Sequence, residues 1–263
     1  MLHTSIRMTN TNVMTRPVCP GLLQPITEAD LEASALLYNS LPRIHSGMRV
    51  ETAHVTKLLE LINKHEMQGL LGLHLLHKHD DIANGTIRLE SDLGVMSGSW
   101  SKAAPIDSIH LRSIHPVAFR YMPQENRLAP FEFAEGPSST MFSDQHHEFF
   151  TEFSRYLDKH HLSNDLALEI APFGADGHRQ ECTAEVEVEN NGTVVLPKSM
   201  VNSTSFLPTG WFDLVLSEDS DTPPAGQTWA KLVNTSHKVF TNKQFGTPDE
   251  IVAELLKAGI IKL

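Results

Sequence analysis

A chain of 263 residues, 40% hydrophobic and 20% charged, is long enough to bury a core without disulfide staples and has the composition of an ordinary globular protein. Its 32 acidic and 21 basic residues give a net charge of −11 with no Lys/Arg cluster, which argues against a nucleic-acid backbone or an anionic membrane as partner. Cys19 and Cys182 match no metal or redox spacing and no apolar run is long enough to span a bilayer, so the reading is a cytoplasmic protein with reduced thiols.

In chain order, residues 1–25 are polar, are punctuated by Pro17, Pro20 and Pro25, and read as a flexible arm before one α+β domain over 26–263. A first helix follows Thr27 as its cap, with Leu31, Ala35 and Tyr38 on one face and Pro42 beyond its end. A second, about Thr52 to Glu66, carries Val55, Leu58, Leu59 and Ile62 at i, i+3, i+4 and i+7. It runs into "LGLHLLHKHDDIANGTIRLE", residues 71–90, an apolar strand predicted to turn back on Asn84-Gly85 as a β-hairpin.

"PVAFRYMPQENRLAPFEFAEGP" reads as two alternating strands around a PQEN turn, Phe131 and Phe133 on one face and Glu132 on the other. A third helix, about 143–161, precedes the buried strand "DLALEI" and then a hairpin alternating Ala184, Val186 and Val188 with Glu185, Glu187 and Glu189. That hairpin is expected to turn at Asn191-Gly192 and to keep one face wet. Residues 198–245 read as coil anchored by Trp211 and Trp229, and the chain closes in a helix capped by Thr247, Pro248, Glu250 and Gly259.

The fold class expected is therefore α+β, a mixed or antiparallel sheet built from hairpins with amphipathic helices packed on it. The segments "VTKLLELINKHEMQGLLGLHL" and "FTEFSRYLDKHHLSNDLALEI" echo one another and suggest a duplicated helix–strand–hairpin unit, in halves 50–135 and 143–200 followed by coil and helix over 201–263. The four sequons, at Asn84, Asn191, Asn202 and Asn234, read as turn chemistry.

Histidine is the anomaly of composition, 15 residues gathered in short clusters. On the predicted first hairpin, His77, His79, Asp81, Arg88 and Glu90 project to one side, Asp81 facing Arg88 and His79 facing Glu90. Two imidazoles two residues apart with a carboxylate opposite form a 2-His-1-carboxylate set for a divalent metal, with iron, zinc or copper the candidates, and His110 or His115 as a further ligand. A solvated hairpin tip would show the same charge pairs, so both readings stand. If the duplication holds, His74 and Glu169 occupy equivalent places and meet across the sheet as an acid–base pair, with Arg88 and Asp81 completing the catalytic candidates. His146, His147, His160 and His161 are held in reserve.

The phosphate-binding, dinucleotide, nucleophile-elbow and H-E-x-x-H motifs are absent, which removes kinases, P-loop NTPases, Rossmann dehydrogenases, α/β-hydrolases and zincins. The expected partner is a small-molecule ligand or substrate. The expectation is a small-molecule enzyme with a His/carboxylate centre, the alternatives being a metal-free ligand-binding or interaction protein, or a metal-free acid–base isomerase or cyclase. The runs "HEMQGLLGLHLLHKHDDIANGTIRLES", "FEFAEGPSS" and "TAEVEVENNGTVVLPKSM" resemble a family of uncharacterised intracellular proteins from filamentous fungi, a resemblance that implies location and class but transfers no reaction or site residue.

Overall fold

The computed structural model describes residues 15–94, 98–137, 142–171, 182–203, 205–212, 227–231, 238–239, 241 and 243–262. Among them are four helices, α1 (Glu28–Asn39), α2 (Thr52–Lys64), α3 (His147–Lys159) and α4 (Pro248–Lys257). The strands are β1 (Leu71–Leu75), β2 (Thr86–Asp92), β3 (Ser99–Pro105), β4 (Ile114–Met122), β5 (Arg127–Glu135), β6 (Leu166–Ile170), β7 (Thr183–Val188), β8 (Gly192–Pro197), β9 (Phe206–Trp211), β10 (Gln227–Lys231) and β11 (Lys238–Val239). No described helix is long and apolar enough to cross a membrane.

The strands form one mixed sheet in the order β10-β9-β1-β6-β4-β5-β2-β3-β8-β7-β11. Because β10 pairs with β7 as well as β9, the two ends meet and the sheet curls round on itself. The expected α+β class with a mixed sheet is what the chain adopts.

Alternation decides what each side of the curl receives. The apolar members face outward under the helices. Val55, Leu58 and Ile62 of α2 and Phe149, Phe150 and Phe153 of α3 cover Leu71 and Leu73 of β1, Leu166 and Leu168 of β6 and Phe119 of β4 in one cluster. Leu31, Ala35 and Tyr38 of α1 pack over Ile87, Phe131 and Phe133. On the far side, Ile251, Val252 and Leu255 of α4 close over Trp100, Val186, Val194 and Leu196. The polar members, among them His74, Arg88, Glu132, Glu169 and Glu185, line a cavity on the concave side.

Helix termini follow their sequence signals. Thr27 with Asp30 and Thr247 with Glu250 form capping boxes, and Gly259 ends α4 at φ 67°. The helix–strand units α2–β1 and α3–β6 are built alike: Glu66 and His161 both take positive φ after their helices, and Met67 N→Ile62 O matches Leu162 N→Leu157 O. Leu73 pairs with Leu168, its own counterpart 95 positions on, so the two strands lie about a local twofold.

Several expectations are corrected. The hairpin on Asn84-Gly85 does not form: the dipeptide makes a local turn, Thr86 N→Ala83 O 3.2 Å with Gly85 at φ 75°, but β1 pairs with β6 and β9 while β2 pairs with β3 and β5. All five β1 residues are buried, which calls for a strand partner on each side and helices above, and β6 and β9 supply those partners. The hairpin part of the duplicated unit therefore lacks its first copy.

The β7–β8 hairpin does form, but its turn lies two residues earlier, on Glu189 and Asn190 (φ 59°), closed by Asn191 N→Val188 O at 2.9 Å with Val188 opposite Gly192. Neither of its faces is wet. Every residue of β7 is buried, because the acidic face points into the concavity. The coil expected over 198–245 contains β9, β10 and β11; Trp211 packs against the α2–α3 cluster, whereas the side chain of Trp229 lies outside the described residues.

Residues 1–14 of the expected arm lie outside the described residues. From residue 15 the chain is bound to the body: Val18 pairs with the β5 edge through Val18 N→Asn126 O and Leu128 N→Val18 O, both 2.9 Å, and Cys19 and Leu22 are buried. Burial pushes the Cys19 thiol up to about 12, the state of an inert core thiol. Asn191 is also a structural residue, its amide spanning Glu189 O, Lys243 O and Phe245 N.

Candidate metal centre

The concavity encloses about 580 Å³. Beyond β1 the chain stays extended through Lys78, whose backbone bridges Arg43 and whose N–H reaches Pro42 O at 2.9 Å. With Lys78 turned away, His77 and His79 point to the same side, into the cavity. Opposite them β7 presents Glu185.

These three side chains, 2%, 8% and 5% exposed, converge on one point. His77 Nε2 lies 3.2 Å from Glu185 Oε2, His79 Nε2 lies 3.3 Å from the same oxygen, and the two Nε2 atoms are 3.3 Å apart. Ligand atoms about 2.1 Å from a metal are about 3.4 Å apart in a tetrahedron and about 3.0 Å apart at cis positions of an octahedron, so this near-equilateral triangle has the edge of a facial ligand set. An ion about 2.1 Å from all three would sit about 0.9 Å out of their plane.

The supports around the triangle free the right atoms. His77 Nδ1 donates to Leu75 O at 2.7 Å, which leaves Nε2 as the nitrogen facing the centre. Glu185 Oε1 accepts from Thr209 Oγ1 of β9 at 2.9 Å, so Oε2 is the oxygen turned to the imidazoles. The Glu187 carboxylate lies 3.9 Å from His79 Nδ1, and the His79 N–H donates to the Tyr38 hydroxyl at 3.3 Å.

Burial drives the His79 imidazolium down to about 4, so the ring is neutral at pH 7. Burial would raise Glu185, but the hydrogen bonds it accepts from His77 and His79 hold it well below the usual carboxylate range. A neutral imidazole beside an ionised carboxylate is the protonation state in which both bind metal.

His74 and Glu169 also meet on the cavity wall, Nδ1 to Oε2 at 3.2 Å, as diagonal neighbours across the β1–β6 pair. Burial opposes protonation of His74, yet the Glu169 charge and hydrogen bond outweigh it and lift the imidazole to about 9. The His74 ring stacks on His77 with centroids 5.0 Å apart and planes 9° from parallel.

Of the other candidates, Arg88 and Glu90 reach the cavity from β2, though not as hairpin partners of β1. Arg88 is fully buried and bonds Asp80 at 3.3 Å and Thr193 Oγ1 at 3.1 Å, not Asp81. Asp81 lies outside in solvent, paired with Arg43 and Lys78. Glu90 lines the cavity but does not belong to the triangle, because β2 stands across the sheet from His79 rather than beside it. His115 lines the cavity with Nδ1 2.9 Å from Gly136 O, while His110 is exposed between two short 3₁₀ turns and does not reach the cavity. None of His146, His147, His160 and His161 lines it; they stand on or at the ends of α3.

The ligand that the sequence did not point to is Glu185. Its only signal was the acidic period-two pattern of β7, which looks the same whether that face meets solvent or a closed concavity.

Burial pushes the Glu90 carboxyl up to about 7. The folded chain then holds a proton at Glu90 that the unfolded chain releases near the ordinary value of 4.5, so this residue lowers stability as pH rises from about 4.5 through 7. In metal-free protein, Glu90→Gln is expected to be more stable than the parent by roughly 2 kcal/mol at pH 8, with the difference vanishing at pH 4. Urea midpoints of both proteins across that range test this, and a difference independent of pH contradicts it.

Comparison with protein-family models, with curated proteins and with solved structures found no match to the chain.

Proposed function

We propose that this chain is a small-molecule enzyme whose centre is a divalent metal ion held by His77, His79 and Glu185. The observation that carries the reading is the buried triangle of two imidazole nitrogens and one carboxylate oxygen, with edges of 3.2 and 3.3 Å. Two histidines and a carboxylate on one face leave the remaining coordination positions for water, substrate or oxygen, the pattern of catalytic zinc and non-haem iron sites. When bound, such an ion supplies Lewis-acid polarisation or an activated water.

The protein's part is to hold the ligands ready. Leu75 O fixes the His77 tautomer, Thr209 orients Glu185, and the sheet encloses a space sized for a small organic molecule. A net charge of −11 supports a small-molecule partner over nucleic acid.

A second reading is favoured by one contact, the His74–Glu169 pair at 3.2 Å: metal-free proton transfer of the isomerase or cyclase kind. Metal content separates the two. Untagged protein stripped with chelator and titrated calorimetrically with Zn(II), and anaerobically with Fe(II), is expected to take up about one equivalent of ion at micromolar affinity or tighter. Uptake of neither ion overturns the metal reading and leaves the acid–base pair.

A further inference from the structure

Two buried nitrogens of cavity-lining residues have no hydrogen-bond partner among the described residues, His74 Nε2 and Arg88 Nε. Their side chains are 7% and 1% exposed, and both line the cavity. Arg88 is held firmly by its other atoms: one terminal nitrogen on Asp80, the second on Thr193, and the guanidinium 5.5 Å from the Tyr38 ring centroid. His74 is held at Nδ1 by Glu169.

Of the carboxylates beside these groups, Glu169 is engaged with His74 and Glu185 with Thr209 and both metal-facing imidazoles, while Glu132 adds its charge beside both His74 and Arg88. Neither nitrogen has an acceptor among them. Desolvated nitrogens left without one raise the free energy of the empty site, and a ligand oxygen relieves that cost on binding. Parallel stacking puts the His74 ring beside the His77 ring of the metal triangle.

We infer that the cavity takes an organic acid carrying two neighbouring oxygens, a 2-oxo- or 2-hydroxycarboxylate, which coordinates the ion through oxygen and turns its carboxylate to Arg88 and His74. Bidentate oxygen donors suit a facial triad with open positions, and guanidinium is the side chain matched to carboxylate. Val117, Ala134, Ile170 and Val195 on the same wall accommodate the hydrocarbon part. The inference rests on the metal reading above and names its substrate class. Glu90 and Glu132, which also line the cavity, make an organic cation the competing ligand.

The test uses the full, untagged chain loaded with Co(II), whose visible absorption reports its ligands, titrated with benzoylformate and separately with benzylamine. Benzoylformate is expected to shift the cobalt bands saturably. Arg88→Lys and His74→Gln are each expected to weaken that response about tenfold or more while holding cobalt as tightly as the parent. A saturable response to benzylamine but not to benzoylformate overturns the inference, and so does unchanged benzoylformate affinity in both variants. Failure of the parent to hold cobalt instead refutes the metal reading, and this inference with it. If Arg88→Lys loses its fold by circular dichroism, His74→Gln alone decides.

Discussion

Replacing Glu185 with glutamine is expected to weaken divalent-metal binding by at least about 100-fold, the loss of an anionic ligand exceeding the 10- to 100-fold typical of losing an outer supporting group. The amide keeps the volume and the Thr209 contact at Oε1 but removes the charge that His77 and His79 share at Oε2. Stability offers a second readout. An ion at about 100 times its Kd stabilises the parent by about 2.7 kcal/mol, and that increment falls to about 0.4 kcal/mol or less in the variant at the same ion concentration. Thermal melts of both proteins, with and without Zn(II), measure it; a zinc-induced shift retained in Glu185→Gln would show that the ion binds elsewhere.

The largest purely structural effect is expected at Gly192, the first residue of β8, which stands at φ 88° against the neighbouring β3. A Cβ there would lie 2.1 Å from the Ser101 carbonyl oxygen and 3.1 Å from the Lys102 Cα, both backbone atoms that cannot turn aside. Gly192→Ala therefore combines left-handed strain with a clash inside the β3–β8 pairing and is expected to cost about 3 kcal/mol or more. It also disturbs the adjacent turn, where Asn191 O accepts from Trp100 Nε1 at 2.6 Å.

Gly94 is the control. It has φ 71°, but a methyl group added to its Cα would meet nothing within 4 Å, so Gly94→Ala should cost only about 1 kcal/mol. Urea unfolding of the two variants measures both, and equal midpoints contradict the β3–β8 contact.

How much of this was legible in the sequence depends on the range of each signal. Caps act within four residues, so the Thr27 cap and the Thr247–Glu250 box read directly, and so did the apolar stripe of α2. The meeting of His74 with Glu169 was also legible, because the two helix–strand units repeat at a fixed offset and antiparallel strands about a twofold set equivalent residues diagonally.

Strand pairing was not legible. Asn84-Gly85 carries the chemistry of a tight turn and makes one, yet β1 finds β6 and β9 because its two buried faces require neighbours that no local pattern names. His77 and His79 do come together, although the hairpin they were placed on does not form. His77 and His79 share a side by strand alternation, which holds whatever the partner, whereas the acid opposite them depends on which strand lies across the concavity. That strand is β7, so the carboxylate that closes the triangle is Glu185 and not Glu90.

An alternating sequence fixes two unlike faces without fixing which is inside. Here helices cover the apolar face of the curled sheet and the polar face encloses the site, so acids that resemble a wet surface are 5% and 3% exposed at Glu185 and Glu187.

The most direct measurement is an anomalous difference map from crystals of the zinc-loaded protein, collected at the zinc edge. The account predicts one strong peak inside the concavity, about 2.1 Å from His77 Nε2, His79 Nε2 and Glu185 Oε2. A cavity without a peak, with zinc instead at the surface pair His54 and His160, would contradict it.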